Sequence, residues 1–188
     1  MKPAVIVLDM AKGYGDASTY MPGMVDRIKR LKDVAHERGA PVIHVHSLRR
    51  PTDNLPRPGH MMVGTEALEV LPELALAPQD IQIYKRYLSG FSFNDLDYTM
   101  RCMGVDTILI TGASTDNTVL WTAADGFQLH YTVCVVEDCT MVHRQGEPPE
   151  VKEYALRIVR NVLQSDVLPL EQALAKYLSA DAVGVLAK

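Results

Sequence analysis

Five short, continuous runs of apolar residues divide the chain and predict buried β-strands. They cover residues 4–8 (AVIVL), 41–45 (PVIHV), 81–84 (IQIY), 107–111 (TILIT) and 132–136 (TVCVV). Their β-branched residues and their lack of strict apolar–polar alternation are typical of strands that are covered on both faces. The runs therefore predict a mainly parallel sheet.

Amphipathic segments lie between these runs and predict helices. They cover residues 22–38, 66–74, 93–103, 116–128 and 150–162. Gly39, Gly104 and Gly126 stand where we expect helices to stop. Strands that alternate with helices predict a three-layer α/β/α fold with a mainly parallel sheet. The length of 188 residues predicts a single domain, 1–188.

Two segments depart from the alternation. Residues 48–64 contain three prolines and two glycines. They predict a long loop, and such loops in compact domains are often functional. Residues 164–188 predict an amphipathic helix (LEQALAKYL) followed by a small apolar end.

Composition narrows the class of partner. The net charge is -4 and no run of lysine or arginine is present, so we expect no nucleic-acid partner. No segment approaches the roughly 20 apolar residues of a membrane span, and the first apolar run is too short for a signal peptide and ends at Asp9. We therefore expect a cytoplasmic protein without a membrane partner. Cys102, Cys134 and Cys139 lack CxxC spacing, which predicts reduced thiols and no zinc ribbon.

Polar residues follow the predicted strands at the edge where parallel sheets bind ligands. The first strand ends at Asp9, the third at Lys85 and the fourth at the turn 112–119 (GASTDNTV). An aspartate beside a lysine can accept a proton from a nucleophile. The helix that starts in the turn offers N–H groups to a developing oxyanion. The fold therefore predicts a site at this edge.

The turn also has a plainer interpretation. Ser114, Thr115 and Asp116 are strong N-cap residues, so the same pattern is typical of ordinary helix capping. The pattern alone leaves both interpretations open.

Four segments carry a resemblance to a known family. They are AVIVLDM at the start, GTEALEVLPEL at 64–74, YKRYLSGFSFNDLDYTMRCMGVDTILITGASTDNTV at 84–119, and TAADGFQLHYTVCVVEDC at 122–139. In order and spacing the chain resembles the isochorismatase-like hydrolases, or cysteine hydrolase superfamily, over residues 4 to 165. This group includes nicotinamidases, ureidoacrylate hydrolases, isochorismatases and, as the nearest likeness, N-carbamoylsarcosine amidohydrolases.

The resemblance implies a catalytic set. Asp9 and Lys85 match the family's aspartate and lysine, and Thr118 stands at the position of its cysteine nucleophile. The family's cis non-proline peptide corresponds to the Ala113–Ser114 bond. The N–H groups of Ser114 and Thr118 then form the implied oxyanion hole.

The threonine leaves three functions open. An alcohol is a much weaker acid than a thiol, and known threonine nucleophiles often use their own terminal amine. The chain could hydrolyse a small amide or ureido C–N bond, as N-carbamoylsarcosine amidohydrolases do, with Thr118 or an Asp9-activated water as nucleophile. It could be a catalytically silent small-molecule binding protein. It could also be an isochorismatase-type enol-ether hydrolase with Asp9 as the acid. A designed replacement of a natural cysteine would leave the same pattern.

The resemblance also suggests residues that bind substrate. Tyr14 stands where the family has an aromatic residue, Phe91 lies in the S-x-F pattern, and Trp121 lies one helical step after Thr118. Arg144 follows the fifth strand, where a forked guanidinium would suit a substrate carboxylate. Plain core packing is the alternative for Phe91, and a solvated surface position is the alternative for Arg144.

We expect neither a metal nor a cofactor. His44 and His46 share one side of a strand and could bind a metal with His60 or Asp53, but ordinary buried or loop histidines give the same pattern. The expected partner is a small-molecule substrate. Relatives in the family imply a homodimer or homotetramer.

Overall fold

The parallel sheet predicted from the apolar runs is present in the computed structural model, which describes residues 1–53, 61–143 and 146–180. Its strands pair in parallel in the order β3-β2-β1-β4-β5-β6. The strands are β1 (Pro3–Leu8), β2 (Val42–Ser47), β3 (Ile81–Lys85), β4 (Thr107–Ala113), β5 (Thr132–Met141) and β6 (Asp166–Leu168). The fold class expected from the sequence is confirmed.

Helices cover both faces of the sheet. Within the described residues they are α1 (Met24–Glu37), α2 (Leu96–Cys102), α3 (Leu120–Gln128), α4 (Glu150–Asn161) and α5 (Leu170–Tyr177). Helices α1 and α5 pack into one hydrophobic cluster, and α2, α3 and α4 pack into another. Alternate residues of β1 enter the two clusters because successive side chains of a strand point to opposite faces. No helix among the described residues has the length and apolar character needed to cross a membrane.

Two local predictions are wrong. The segment 66–74 forms short 3-10 turns at Glu66–Leu68 and Pro72–Leu74 and no α-helix. Pro72 lacks the amide hydrogen that a continuing helix needs. Gly126 lies inside α3, where a Cβ would come within 2.6 Å of Ile108 Cδ1, so close packing against the sheet explains this glycine. Gly39 and Gly104 do follow helices, with φ angles of 68° and 70°.

The sequence pattern also missed β6. This strand has three half-buried residues and pairs with β5 at the edge of the sheet. A strand of three residues is too short for periodicity to reveal. The predicted C-terminal helix is present as α5.

Gly112 fixes the distance between the two central strands at the edge that carries Asp9. It pairs with Leu8, has a φ of 108°, and would place a Cβ only 2.0 Å from the Leu8 carbonyl oxygen. Only glycine combines this φ with so close an approach of backbone to backbone.

We predict that Gly112→Ala destabilises the protein by about 3 kcal/mol or more, because the clash involves backbone that cannot turn aside. The matched control is Gly39→Ala, at a φ of 68° with no atom within 4 Å of the new Cβ. It should cost only about 1–2 kcal/mol, the price of the left-handed conformation. Urea unfolding of both variants measures the difference, and equal losses would contradict the close approach at Gly112.

Candidate active site

A buried ion pair lies at the carboxyl end of the sheet. Lys85 Nζ lies 2.8 Å from Asp9 Oδ2, and the residues are 2% and 4% exposed. Asp9 ends β1 with a φ of 54°, a conformation that short polar residues tolerate. The strand order brings β3 and β1 to either side of β2, so the predicted pairing follows from the parallel sheet.

Ser47 holds both partners of this ion pair. Its backbone N–H donates to Asp9 Oδ1 at 2.8 Å, and its Oγ accepts from Lys85 Nζ at 3.0 Å. Lys85 Nζ also donates to the carbonyl oxygen of Tyr87 at 3.1 Å. Hydrogen bonds of this kind are what make a buried charge pair tolerable. The carboxylate is therefore held in one orientation.

The turn after β4 has the backbone that the resemblance implied. The Ala113–Ser114 peptide is cis. Residues Thr115–Val119 form one π-helical turn, a feature found often at functional sites, and α3 begins directly after it. Ser114 makes no side-chain cap hydrogen bond to the helix, and its Oγ donates to Asp116 Oδ1 at 2.5 Å. This contact does not support the capping interpretation of the turn.

Thr118 is buried in the π-helical turn that precedes α3, and its hydroxyl is hydrogen-bonded to the backbone. It is 3% exposed, and its Oγ1 donates to the carbonyl oxygen of Leu88 at 2.8 Å. Among the residues described, Thr118 and Asp9 share no hydrogen bond. The hydroxyl proton is therefore engaged by the Leu88 carbonyl oxygen and not by the Asp9 carboxylate.

Aromatic rings lie beside the carboxylate. His143 stacks on Tyr20 with ring centroids 5.5 Å apart and meets Tyr14 edge-on at 6.0 Å. Burial, and then the negative charge of Asp9, raises the pKa of both phenols. Tyr14 is hydrogen-bonded to Ser47. Both hydroxyl groups therefore stay protonated near the carboxylate.

Other residues suggested by the resemblance lie elsewhere. Phe91 stacks on Tyr131 at 5.9 Å, next to the beginning of β5 and thus at the opposite end of the sheet from Asp9. Trp121 is 50% exposed on α3. Arg144 lies outside the described residues. The contacts of Phe91 match the core-packing alternative, so Tyr14 is the suggested substrate-binding residue whose contacts connect it to Asp9.

Sequence reasoning missed Tyr20 and Arg49 as candidates. Arg49 follows β2, and its Nη1 donates to the carbonyl oxygen of Arg86, the residue after Lys85, at 3.1 Å. Its positive charge partly opposes the rise in the pKa of Tyr14. Arg49 lies in the segment 48–64, which the sequence predicted to be a long loop of a kind that is often functional. No motif or periodicity marks Tyr20.

The two histidines of β2 are buried and lack hydrogen-bond partners on their ring nitrogens among the described residues. Their ring centroids are 5.9 Å apart, on one side of the strand as predicted. Burial lowers the pKa of His46 to about 4 and that of His44 to about 2. His44 and His46 are therefore neutral rings in the interior of the protein.

The described residues do not bring together three side chains that could hold a metal ion. Asp53 pairs with Arg86, and His60 lies outside the described residues. Within the described part of the chain, no third side chain therefore joins His44 and His46 as a metal ligand.

Comparison with known proteins identifies the family. The isochorismatase domain family matches residues 3–163, so the chain belongs to the isochorismatase family of hydrolases. The fold agrees with solved members, including an isochorismatase-like hydrolase from Alkaliphilus metalliredigens. That structure has a TM-score of 0.82 and 26% identity, and the match covers 93% of this chain and 98% of that chain.

Related proteins with named activities are amidohydrolases. A maleamate amidohydrolase from Pseudomonas putida is 26% identical, over 79% of this chain and 76% of its own length. A ureidoacrylate amidohydrolase from Caulobacter segnis is 28% identical, over 81% and 77%. The N-carbamoylsarcosine amidase structure from Thermoplasma acidophilum has a TM-score of 0.77 and 27% identity, over 91% of this chain and 98% of that chain.

We predict strong coupling between Asp9 and Lys85. Lys85→Met or Asp9→Asn alone should destabilise the protein by about 3–5 kcal/mol, because each leaves its partner buried without the opposite charge. The double variant should lose less than the sum of the two. A double-mutant cycle by urea unfolding measures the coupling.

The control cycle uses the exposed pair Lys29–Asp33, in which Nζ and Oδ2 are 2.6 Å apart. That pair should couple by less than about 1 kcal/mol because water screens it. Additive losses at Asp9 and Lys85 would contradict a paired, buried charge.

We predict that the protein loses stability below about pH 6.5, where an unfolded histidine begins to bind a proton. Burial lowers the folded-state pKa of His46 to about 4, so between these values the unfolded chain binds the extra proton. The contribution of such a histidine to stability is therefore fully present above about pH 6.5. As the pH drops, the free energy of unfolding falls by about 1.4 kcal/mol per pH unit for each such histidine.

Urea unfolding from pH 7 to pH 4.5 measures this slope. His46→Leu should reduce this slope by the contribution of one histidine, about 1.4 kcal/mol per pH unit. His130→Gln, at an exposed position, should leave it unchanged. Equal slopes in His46→Leu and the unaltered protein would show that His46 is not held neutral by folding.

Proposed function

We propose that this protein hydrolyses a small amide or ureido compound and releases ammonia, with Asp9 as the general base for a water molecule. The observation that carries the proposal is the buried Asp9–Lys85 ion pair, next to the turn that begins α3. Homologues that act on maleamate, ureidoacrylate and N-carbamoylsarcosine support the same bond type.

Water suits this site better than the threonine as nucleophile. The Thr118 hydroxyl donates to the Leu88 carbonyl at 2.8 Å, whereas the Asp9 carboxylate is fixed by Lys85 and Ser47. A threonine nucleophile would have to break its own hydrogen bond and then transfer its proton to Asp9. A water molecule beside Asp9 needs neither rearrangement.

The reaction balances without a cofactor. Asp9 accepts a proton from water as the oxygen attacks the substrate carbonyl. The N–H groups of Ser114 and Thr118 stabilise the oxyanion. When the C–N bond breaks, Asp9 returns its proton to the leaving nitrogen. An amide yields a carboxylic acid and ammonia, and a terminal ureido group yields a carbamate and ammonia.

Lys85 and Ser47 hold the Asp9 carboxylate in one orientation, with which it can accept the proton of the attacking water. The Lys85 ammonium group and the Ser47 N–H are both donors, one to each oxygen of Asp9. If Asp9 were the acid, it would have to carry a proton before the reaction starts. That proton would sit on a carboxyl oxygen that already faces a hydrogen-bond donor. The geometry therefore favours a base at Asp9 over the acid that enol-ether hydrolysis requires.

We predict ammonia release from a panel of small primary amides and ureido acids, measured by a coupled assay. Asp9→Asn should lower the rate by about 10²–10⁴-fold, since it removes the base. Thr118→Ala should retain activity within about tenfold, because the hydroxyl does not attack, with a loss from the missing hydrogen bond to Leu88. Melting temperatures of each variant separate lost chemistry from lost folding.

Each other outcome identifies a different function. Equal losses in Asp9→Asn and Thr118→Ala, together with an acylated protein in the mass spectrum, would make Thr118 the nucleophile. Activity that appears only in Thr118→Cys would mean that the natural protein is a silent binding protein on an intact family scaffold. Ammonia-free turnover of an enol ether that depends on Asp9 would replace the amide reaction.

Assembly and location remain predictions. We propose a homodimer or homotetramer in the cytoplasm, as the family resemblance implies. Light scattering coupled to size-exclusion chromatography measures the assembly directly, and a monomeric mass at micromolar concentration would contradict it.

A further inference from the structure

Tyr20 has a buried hydroxyl group that no described residue satisfies. The residue is 5% exposed, and its Oη has no hydrogen-bond partner among the residues described. Leaving such a group unpaired is costly, and buried tyrosine hydroxyls usually find a partner. This hydroxyl therefore needs a specific explanation.

Other tyrosines away from the site follow the usual rule. Tyr131 Oη donates to Asp97 Oδ1 at 2.7 Å, and Tyr177 Oη donates to Asp166 Oδ2 at 2.5 Å. Tyr20 differs from both in its position near the carboxyl end of the sheet.

The surroundings of Tyr20 connect it to the candidate active site. Its ring stacks on His143, with an interplanar angle of 22°. The backbone N–H of His143 donates to Ser114 Oγ at 2.9 Å, and Ser114 supplies one N–H of the proposed oxyanion hole. The charge of Asp9 acts on the Tyr20 phenol. The ring of Tyr20 is thus linked through His143 to Ser114, and its phenol lies within the electrostatic range of Asp9.

A second polar atom beside Tyr20 is also unsatisfied. His143 Nδ1 is buried and has no hydrogen-bond partner among the described residues. Two stacked rings therefore each present a buried polar atom that no described residue pairs. A polar group of a bound ligand would satisfy such a pair.

We propose that Tyr20 is a specificity-determining residue, whose hydroxyl donates a hydrogen bond to a second oxygen-bearing group of the substrate, beside the His143 ring. The proposal rests on the amide or ureido hydrolysis proposed above. It assigns as substrates compounds that carry a carboxylate or carbonyl oxygen in addition to the bond that is cleaved.

The chemistry of the phenol suits this task. Burial and the nearby carboxylate raise its pKa, so the hydroxyl remains protonated and can act as a donor throughout the working pH range. A donor selects acceptor oxygens. A substrate that lacks such an oxygen leaves the hydroxyl unpaired, and sites of this kind reject such analogues.

Tyr20→Phe tests the proposal with two opposed readouts. It removes one oxygen atom and keeps the stacked ring, so the melting temperature should stay unchanged or rise. With a monoamide of a four-carbon dicarboxylic acid as substrate, kcat/KM should fall by about tenfold or more, the worth of one lost hydrogen bond. With the matching primary amide that lacks the carboxylate, kcat/KM should not change.

Tyr131→Phe is the matched control. It removes the same atom from a hydroxyl that has a protein partner far from Asp9, so the melting temperature should fall and the kinetics should stay constant. A Tyr20→Phe variant that loses stability with unchanged discrimination between the two amides would show a structural hydroxyl and overturn the proposal.

A binding measurement separates this inference from the hydrolysis on which it rests. The four-carbon dicarboxylate, added to the unaltered protein, should raise the melting temperature, and the increase should be smaller in Tyr20→Phe. That result without ammonia release would refute the hydrolysis and support the recognition role. Ammonia release with no dependence of binding or kcat/KM on Tyr20 would support the hydrolysis and refute the recognition role. No Tyr20-dependent effect in either experiment overturns the role of Tyr20.

Discussion

The buried ion pair between Asp9 and Lys85 is the interaction on which the rest of the site depends. Burying two charges is expensive, and the chain offsets that cost with the Ser47 amide and hydroxyl and the Tyr87 carbonyl. Asp9 follows β1, Ser47 ends β2, and Lys85 and Tyr87 lie at and just beyond the end of β3. The order of a parallel sheet, and not any single motif, places them together.

The resemblance aligns Thr118 with the cysteine nucleophile of the family, and the arrangement around Asp9 is present in this chain. Thr118 lies in the turn directly before α3, and its hydroxyl donates to the Leu88 carbonyl oxygen. The carboxylate, the ammonium and the turn with its cis peptide remain. The carboxylate and the ammonium are the parts on which the proposed attack by water relies.

The sequence predicted that Asp9 and Lys85 lie close together, because residues at the ends of parallel strands meet at one edge of the sheet. It could not place Phe91, because a motif fixes spacing along the chain but not the direction of a loop side chain, which here turns to Tyr131. Tyr20 was missed for a related reason. Its role depends on its stacking contact with His143. The two residues are more than a hundred positions apart, so no local pattern encodes this contact.

Buried polar atoms without a hydrogen-bond partner among the described residues lie both in the interior of the sheet and around the candidate site. They are the ring nitrogens of His44 and His46 in β2 and one atom each of Thr115, Asn117, His143 and Tyr20. The ion pairs and hydroxyl contacts of the outer helices are, by contrast, satisfied within the protein, as at Tyr131 and Tyr177. Each unpaired group lowers stability, and natural proteins keep such costs mainly where function requires them. Within this set, Tyr20 and His143 belong to the candidate site, and a polar group of the substrate is the partner that we propose for them.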